Sequence, residues 1–461
     1  MARHHSRSAL LTRCLLMLGM LTLLHARSEA AEPPSTDNNF QPAVAKVGDK
    51  VLPCRETLKV RDAGQEKSFP SNELFWPAEV LKRDGDWLHV KSPASEAEVR
   101  AADVVALDSA IEFFTAEIKA GATPWKHKLR GLAYQWQGDL PSAMADIDAA
   151  VQLAPRDPEL HCQRGVLLLA KQEIDPAIAA FTEALRVNPQ FADAYRRRSE
   201  AWLAANQPTR AIDDLTAVIA LDPEDLMALL ERAKLLAMAG EFDRAANDFT
   251  KLLERNPGNL EILRARAELR LIGKHTAEGI ADLNEILRQR PGDPRILYVR
   301  GLAFGQSGEH DKALADFTAI VERDVANGEA YFARAAVYLK LERYDRALRD
   351  LTEIVRLEPQ NAIAHYEQAL IWATCPVDKY RDGQRALAAA RTACLLTQWK
   401  QPPCLMALAA AYAEVGNFED AVLWQKKAQD LIPKEDRAAF QPRLDCYTAQ
   451  KPYRDLPTKT R

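Results

Sequence analysis

Seven arginines return every 34 residues along this chain: Arg130, Arg164, Arg198, Arg232, Arg266, Arg300 and Arg334. Sixteen residues after six of them stands an aspartate, namely Asp146, Asp214, Asp248, Asp282, Asp316 and Asp350, with Ala180 in the one gap. A row of guanidinium groups is one way to grip an anionic ligand, because each carries a fixed fork of N–H donors. A carboxylate repeated in step with the arginines points elsewhere, to an Arg–carboxylate fork closed within the fold. A partly buried charge needs a partner, so the paired reading is favoured: an internal joint rather than a ladder for a ligand.

Little other chemistry is patterned. Six cysteines lie beyond residue 30, at Cys54, Cys162, Cys375, Cys394, Cys404 and Cys446. An even number permits disulfides in an oxidising compartment. Four of the six fall in the last ninety residues, and a clip joining Cys375 to Cys394 or Cys404 is expected there. Cys162 is read as a free thiol. His127, His161, His275, His310 and His365 are scattered singly and read as solvated or packed side chains rather than bases. The chain has no Cys-x-x-Cys, no His-Glu-x-x-His, no nucleophile elbow and no phosphate-cradling or dinucleotide glycine loop. No metal, cofactor or catalytic residue is expected, and the chain reads as a non-enzyme.

The elements that must position these residues follow from the same period. Pro124 to Asn361 is 238 residues, seven units of 34 without insertion or deletion. Prolines close the units at Pro155, Pro189, Pro223, Pro257, Pro291 and Pro359, with Val325 standing in once. The eighth place holds Gly131, Gly165, Ser199, Ala233, Ala267, Gly301 and Ala335, and the twentieth is alanine or glycine throughout. Small residues at both places let two antiparallel helices approach closely. The twenty-fourth place is bulky and apolar, from Ile147 and Phe181 to Phe317 and Leu351. One such unit cannot bury its own apolar face, but stacked neighbours can. Thirty-four residues per helix–turn–helix unit is a diagnostic spacing, and these units resemble the tetratricopeptide repeat (TPR) family. The resemblance implies a mainly α chain, a right-handed solenoid of about nine helix-turn-helix repeats, and a concave groove that takes a protein or peptide.

In that family the second, fifth, ninth, twelfth and thirteenth places of each unit face the groove. Here they include Trp125, Leu132 and Trp136, then Val166 and Leu169, then Arg196 and Glu200. Leu230, Lys234 and Met238 follow, then Arg264, Glu268 and Leu271, and finally Tyr298, Leu302, Phe332 and Leu339. The groove is apolar at both ends and charged in the middle, which suits an extended peptide or a partner helix. A paired Lys and Asn clamp for a C-terminal carboxylate is absent, since no unit has Asn at the ninth place. For Trp125 and Trp136 the alternative is packing against the helix that precedes the repeats.

Ahead of the repeats the texture changes. Residues 1–30 read as a secretory signal: Arg3, Arg7 and Arg13 are followed by an apolar run from Cys14 to Leu24, and Ser28-Glu29-Ala30 offers small residues for cleavage. Eleven apolar residues are too few to span a bilayer; retention as an anchor is the alternative. Cleavage leaves an exported chain, periplasmic, envelope-bound or secreted, with no stable membrane span. The net charge is −4, or −7 without the leader's four arginines and one glutamate, and no basic run tracks a phosphate backbone, which argues against nucleic acid. Residues 31–44 read as a flexible spacer. Residues 45–107 alternate in short strands, with a hairpin predicted around Asp84-Gly85 between Pro77–Lys82 and Trp87–Lys91. This segment resembles bacterial SH3-like barrels, some of which bind cell-wall peptide through aromatics. Phe75, Trp76 and Trp87 are the candidates, with a place in the core favoured over a ligand groove. The competing function is thus a cell-wall (peptidoglycan) binding protein whose repeats only recruit. Residues 108–121 read as a capping helix begun by the box Ser109 to Glu112, with Ala110 and Phe114 matching the twentieth and twenty-fourth places.

Beyond the seven regular units, residues 362–435 make two further repeats, the first stretched by five residues at Cys375 to Gly383, and residues 436–461 a capping helix and tail. Ala373-Thr-Cys-Pro376, Tyr380-Arg-Asp-Gly383, Ala409 to Glu414, Arg443 to Tyr447 and Lys451 to Arg454 resemble the ending of exported repeat proteins of planctomycete-type bacteria. That likeness implies architecture and export and carries no activity.

Overall fold

The computed structural model describes residues 45–62, 65–71, 77–92 and 96–454. The leader, the spacer, Phe75 and Trp76 lie outside the described residues. The chain is mainly helical, a TPR solenoid arrangement preceded by an antiparallel β-region, and divides into two compact units, residues 1–155 and 156–461.

Among the described residues the first unit opens with seven strands: β1 (Lys50–Pro53), β2 (Thr57–Asp62), β3 (Gln65–Pro70), β4 (Ala78–Asp84), β5 (Trp87–Lys91), β6 (Glu96–Arg100) and β7 (Val104–Ala106). They form one sheet in the order β3-β2-β6-β5-β4-β1-β7, antiparallel at every pairing. The hairpin forms where it is expected, shifted by one residue. Asp84 pairs with Trp87, so the turn residues are Gly85 and Asp86, and Gly85 takes the positive φ of 58°. Period-two alternation puts Leu88 and Val90 in the core with Val51, Leu58 and Val99. It puts Trp87 on the opposite face. There the ring is flanked by the guanidinium groups of Arg61 at 4.4 Å and Arg100 at 5.6 Å, so the expectation of a core tryptophan is corrected. His89 is a strand residue held by Glu96 at 3.2 Å.

Helix α1 (Leu107–Ala120) follows β7 directly. Its N-cap is Ala106 without a side-chain bond, so Ser109 lies inside the first turn and the expected capping box does not form. Ala110 and Phe114 are fully buried, as their repeat-like spacing requires. The first regular repeat, α2 (Pro124–Trp136) and α3 (Leu140–Leu153), completes this unit.

The second unit contains α4 (Pro158–Ala170), α5 (Ile174–Val187), α6 (Ala192–Ala204), α7 (Pro208–Leu221), α8 (Leu226–Met238), α9 (Phe242–Arg255), α10 (Leu260–Ile272), α11 (Thr276–Gln289), α12 (Pro294–Ser307), α13 (His310–Arg323), α14 (Gly328–Lys340) and α15 (Tyr344–Leu357). Two rules set these lengths. First helices are capped by the thirty-fourth residue of the repeat before, Asp157, Asp225, Asn259, Asp293 or Asn327, whose side chain accepts from backbone N–H groups. Each ends in a turn whose fifteenth residue is left-handed: Gln172, Asn206, Gly240, Lys274, Gly308 and Glu342 have φ between 56° and 84°. Small eighth residues do receive the bulky twenty-fourth. A Cβ on Gly165 would lie 2.6 Å from the Phe181 ring, and one on Gly301 2.8 Å from Phe317.

The stretched end consists of α16 (Ala362–Thr374), α17 (Gly383–Leu396), α18 (Pro402–Glu414), α19 (Phe418–Asp430) and α20 (Gln441–Thr448). The insertion folds back on the array, with the Tyr380 ring tilted against Tyr344 at 5.7 Å. Arg381 binds Glu414 at 3.0 Å and the Cys375 carbonyl at 2.8 Å. Arg454 of the tail pairs with Glu414 at 2.6 Å and donates to the Ala373 carbonyl at 3.2 Å. The expected clip at Cys375 is not formed. All six described cysteines are free thiols, and Cys375 lies in a different apolar cluster from Cys394 and Cys404.

Candidate protein-binding face

The arginine ladder faces inward and is already satisfied. Arg198 forks onto Asp214 at 2.9 and 2.7 Å, Arg232 onto Asp248 at 2.8 and 2.7 Å, and Arg266 onto Asp282 at 2.9 and 2.6 Å. Arg130, Arg300 and Arg334 grip Asp146, Asp316 and Asp350 in the same way. The hydrogen bond to the carboxylate holds Arg130 and Arg334 above the ordinary arginine value. A third donor of each reaches the twenty-fifth place of the preceding repeat: Arg198 to Thr182, Arg232 to Thr216, Arg266 to Thr250, Arg300 to Asn284 and Arg334 to Thr318. Arg130 finds Thr115 on α1, and Gln368 takes the arginine's role toward Thr352. The threonines give no signal by charge. Their own spacing of 34 residues was the only trace of this joint in the sequence. Three of the five N–H donors of each of these six guanidinium groups are engaged within the fold, which makes them internal joints.

The residues expected to line a groove divide sharply. In the first unit Trp125 meets Phe114 edge-on at 6.0 Å and its indole N–H donates to the Ser71 hydroxyl at 3.3 Å, with Leu132 in the same cluster. Trp136 does not pack there. It is 52 % exposed, and the Lys50 ammonium sits 4.0 Å above its ring. In the second unit Val166 and Leu169 are half-buried, Leu230 and Phe332 pack against the core, and Tyr298 lies against Phe317 at 5.8 Å. Burial raises the Tyr298 hydroxyl above its ordinary value. Cys162 is buried beside Asp193, its thiol 3.7 Å from the carboxylate and pushed up by burial, and so does not line an open groove.

Arg196 pairs with Asp225, the cap of the next first helix. Burial opposes the Asp225 charge, but Arg196 and the backbone N–H groups of Ala228 and Met227 outweigh it and leave the carboxyl below its ordinary value. This is a joint between repeats rather than a free charge.

What remains open is narrower. Glu200 meets Arg197 at 3.3 Å, Lys234 is exposed, and Arg264 holds Glu261 at 3.0 Å and Glu268 at 3.1 Å. Leu302 is exposed on α12. Met227 and Met238, at the second and thirteenth places of α8, are 59 % and 66 % exposed, and Ile272, at the thirteenth place of α10, is 49 % exposed. Residues 2, 5, 9, 12 and 13 of a helix at 3.6 residues per turn share one face. The eleven steps from Met227 to Met238 span about 16 Å at about 1.5 Å each. The first helices α8, α10 and α12 therefore present open apolar side chains with Lys234, Arg264 and Glu268 among them. Among the described residues no three His, Cys, Asp or Glu side chains converge as a metal site requires, and no helix is long and apolar enough to cross a membrane.

Comparison with known proteins agrees on the repeats. The tetratricopeptide repeat family matches residues 162–225 and 230–294, and a second tetratricopeptide repeat profile matches residues 328–361. No curated protein matches the chain. Among solved structures it is similar to a tetratricopeptide repeat protein from Parabacteroides merdae, at 19% identity over 52% of this chain and 95% of that one, TM-score 0.32. It is also similar to a thermophilic TPR protein of Thermus thermophilus, at 22% identity over 40% of this chain and 99% of that one, TM-score 0.26. A third likeness is to the first TPR of Spaghetti (RPAP3) bound to an HSP90 peptide, at 24% identity over 25% of this chain and 96% of that one, TM-score 0.25.

Proposed function

We propose that this array of tetratricopeptide repeats is a non-enzymatic scaffold that binds a segment of another protein on the exposed face of its first helices. One observation carries the reading. Met227, Met238 and Ile272 stand open on successive first helices of one unit, beside the charges of Lys234 and Arg264. Methionine side chains are unbranched and polarisable and mould to varied apolar surfaces. Ordered first helices give the ligand a pre-formed surface, which keeps the entropy cost of binding low. An extended or helical segment with spaced apolar anchors and mixed charge fits such a face. The basic-then-apolar leader supports placing this binding outside the cytoplasm, and the β-region is read as an SH3-like accessory module.

The test uses the purified full-length protein, with and without Met227→Ser, Met238→Ser and Ile272→Ser together, as bait in cell-envelope extract and against isolated cell walls. Protein partners retained by the parent and lost by the triple variant are the expected result. Wall binding unaffected by the triple variant, with no protein partner, overturns the scaffold and promotes cell-wall recognition by the β-region.

A further inference from the structure

Two buried thiols near the C-terminal end are placed by the fold in a way that no other pair of described cysteines shares. Cys394 lies near the end of α17 and Cys404 in the first turn of α18; the helices run antiparallel across the connection 397–401. Each cysteine is five residues from Trp399, the middle of that connection. Residues equidistant from the middle of a helical hairpin lie at the same level on its two arms. Both side chains point into one apolar cluster and are 0 % and 3 % exposed. Cys375 belongs to another cluster, and Cys446 to a third.

The connection itself is tied to this pair. Gln398 and Trp399 both take left-handed backbone, with φ of 51° and 60°. Two such residues in a row without glycine persist only where the surroundings over-determine them. The Trp399 N–H donates to the Cys394 carbonyl at 2.8 Å, and the Trp399 ring stacks on Trp424 at 5.0 Å. The Thr397 hydroxyl donates back to the carbonyls of Ala393 at 2.8 Å and Cys394 at 3.2 Å, which fastens the start of the connection to the last turn of α17.

We infer that Cys394 and Cys404 are the pair that oxidises to a disulfide across this hairpin, bracing the last two repeats. The oxidant is a disulfide-bearing thiol exchange partner. A cysteine thiolate, its proton lost to solvent, attacks one sulfur of that disulfide and expels one thiolate. The second cysteine thiolate attacks the mixed disulfide and expels the other. Two protein thiols become one disulfide, and the oxidant is reduced to two thiols. Burial pushes Cys394 up to about 12 and raises Cys404 as well. The folded pair therefore holds almost no thiolate at neutral pH, and exchange belongs to the chain before α17 and α18 close.

The experiment is refolding of the full chain from urea with oxidised glutathione, followed by alkylation with iodoacetamide and trypsin digestion. Cleavage after Arg391, Lys400 and Lys426 puts the two cysteines on separate peptides, Thr392–Lys400 and Gln401–Lys426. The expected result is these two peptides linked. A link to Cys375 or Cys446 instead, or both cysteines alkylated or glutathionylated singly, overturns the pairing. Native-state hydrogen exchange of residues 383–414 gives a second reading. The linked form is expected to exchange about tenfold more slowly than the same sample after dithiothreitol. Equal rates overturn the bracing role, and neither outcome depends on what the first-helix face binds.

Discussion

Arg232 joins two repeats through one guanidinium group: it forks onto Asp248 of its own repeat and donates to the Thr216 hydroxyl of the repeat before at 3.1 Å. The two bonds differ in consequence. Arg232→Met leaves Asp248, 1 % exposed, as a buried charge without its counter-ion and costs about 3–5 kcal/mol. Thr216→Val removes the bond from Arg232, whose fork on Asp248 remains, and the threonine's own bond to the Ile212 carbonyl, neutral contacts that cost about 0.5–1.5 kcal/mol each. Hydrogen exchange across residues 208–255 reads both locally. The expected order is parent slowest, Thr216→Val intermediate, Arg232→Met fastest; equal acceleration by the two variants would refute the asymmetry.

The Gly165 and Phe181 contact separates two opposing effects of glycine-to-alanine exchange. Alanine gains about 1 kcal/mol of helix propensity. At Gly165 the new methyl meets the Phe181 ring at 2.6–2.8 Å, whereas at Gly131 the nearest atoms are 3.2–3.4 Å away. Overpacking costs about 1–3 kcal/mol, so Gly165→Ala is expected to destabilise and Gly131→Ala to be close to neutral. Adding Phe181→Leu to Gly165→Ala should recover part of the loss, as the Ala267 and Leu283 pairing in another repeat indicates. Urea midpoints of the three variants decide it.

On the proposed binding face, the position of Arg196 sets the choice of variant. Arg196→Ala breaks the pair with Asp225 and loosens a joint, so a loss of partner binding there says nothing specific about contact. Arg264→Ala removes an exposed charge but leaves the partly buried Glu268 without its pair, so a small loss of melting temperature at pH 7 that fades toward pH 4 is expected. Its effect on partner capture, measured by titration at two salt concentrations, should be a loss of affinity that shrinks as salt rises.

Glu268 supplies the pH test. Burial holds its carboxyl above the ordinary value of 4.5, against the pull of Arg264. The folded state then binds the proton more tightly than the unfolded one. Charging Glu268 costs stability at neutral pH, and the cost fades as pH falls through the raised value toward about 4.5. Glu268→Gln is expected to melt above the parent at pH 7 and level with it at pH 4. A variant less stable at both would show that the Arg264 contact outweighs burial.

The repeats were legible because their signals are local and redundant. Proline punctuation, the small eighth and twentieth places and the bulky twenty-fourth each state the same helix–turn–helix unit. The Arg–Asp forks were legible for the same reason, as opposite charges in fixed register. The site was less so. Arg196 occupies a groove position by count, yet its partner is the cap of the following helix, a residue outside the groove pattern. Trp125 occupies one too, but the β-region next to it supplies Ser71 and α1 supplies Phe114, and packing there overrides the repeat rule. Trp87 misled in the other direction, because two arginines far apart in sequence cover an aromatic that alternation turns away from the core. Nearness in sequence to the insertion drew Cys375 into the expected clip, whereas the fold buries Cys375 in a different apolar cluster from Cys394 and Cys404.

The joint has a direction. Arg198, Arg232, Arg266, Arg300 and Arg334 all reach back to a hydroxyl or amide oxygen in the repeat already behind them. A ribosome delivers the chain in that same order, at about 5–20 residues per second, so a 34-residue repeat emerges over about 2–7 s. Such an arginine, newly emerged, finds its acceptor made: Thr182, Thr216 and Thr250 give their hydroxyl protons to the carbonyls four residues back and offer the oxygen to the arginine that follows. The growing array is thus a template that is extended from one end, and a repeat released late has only one correct surface on which to dock.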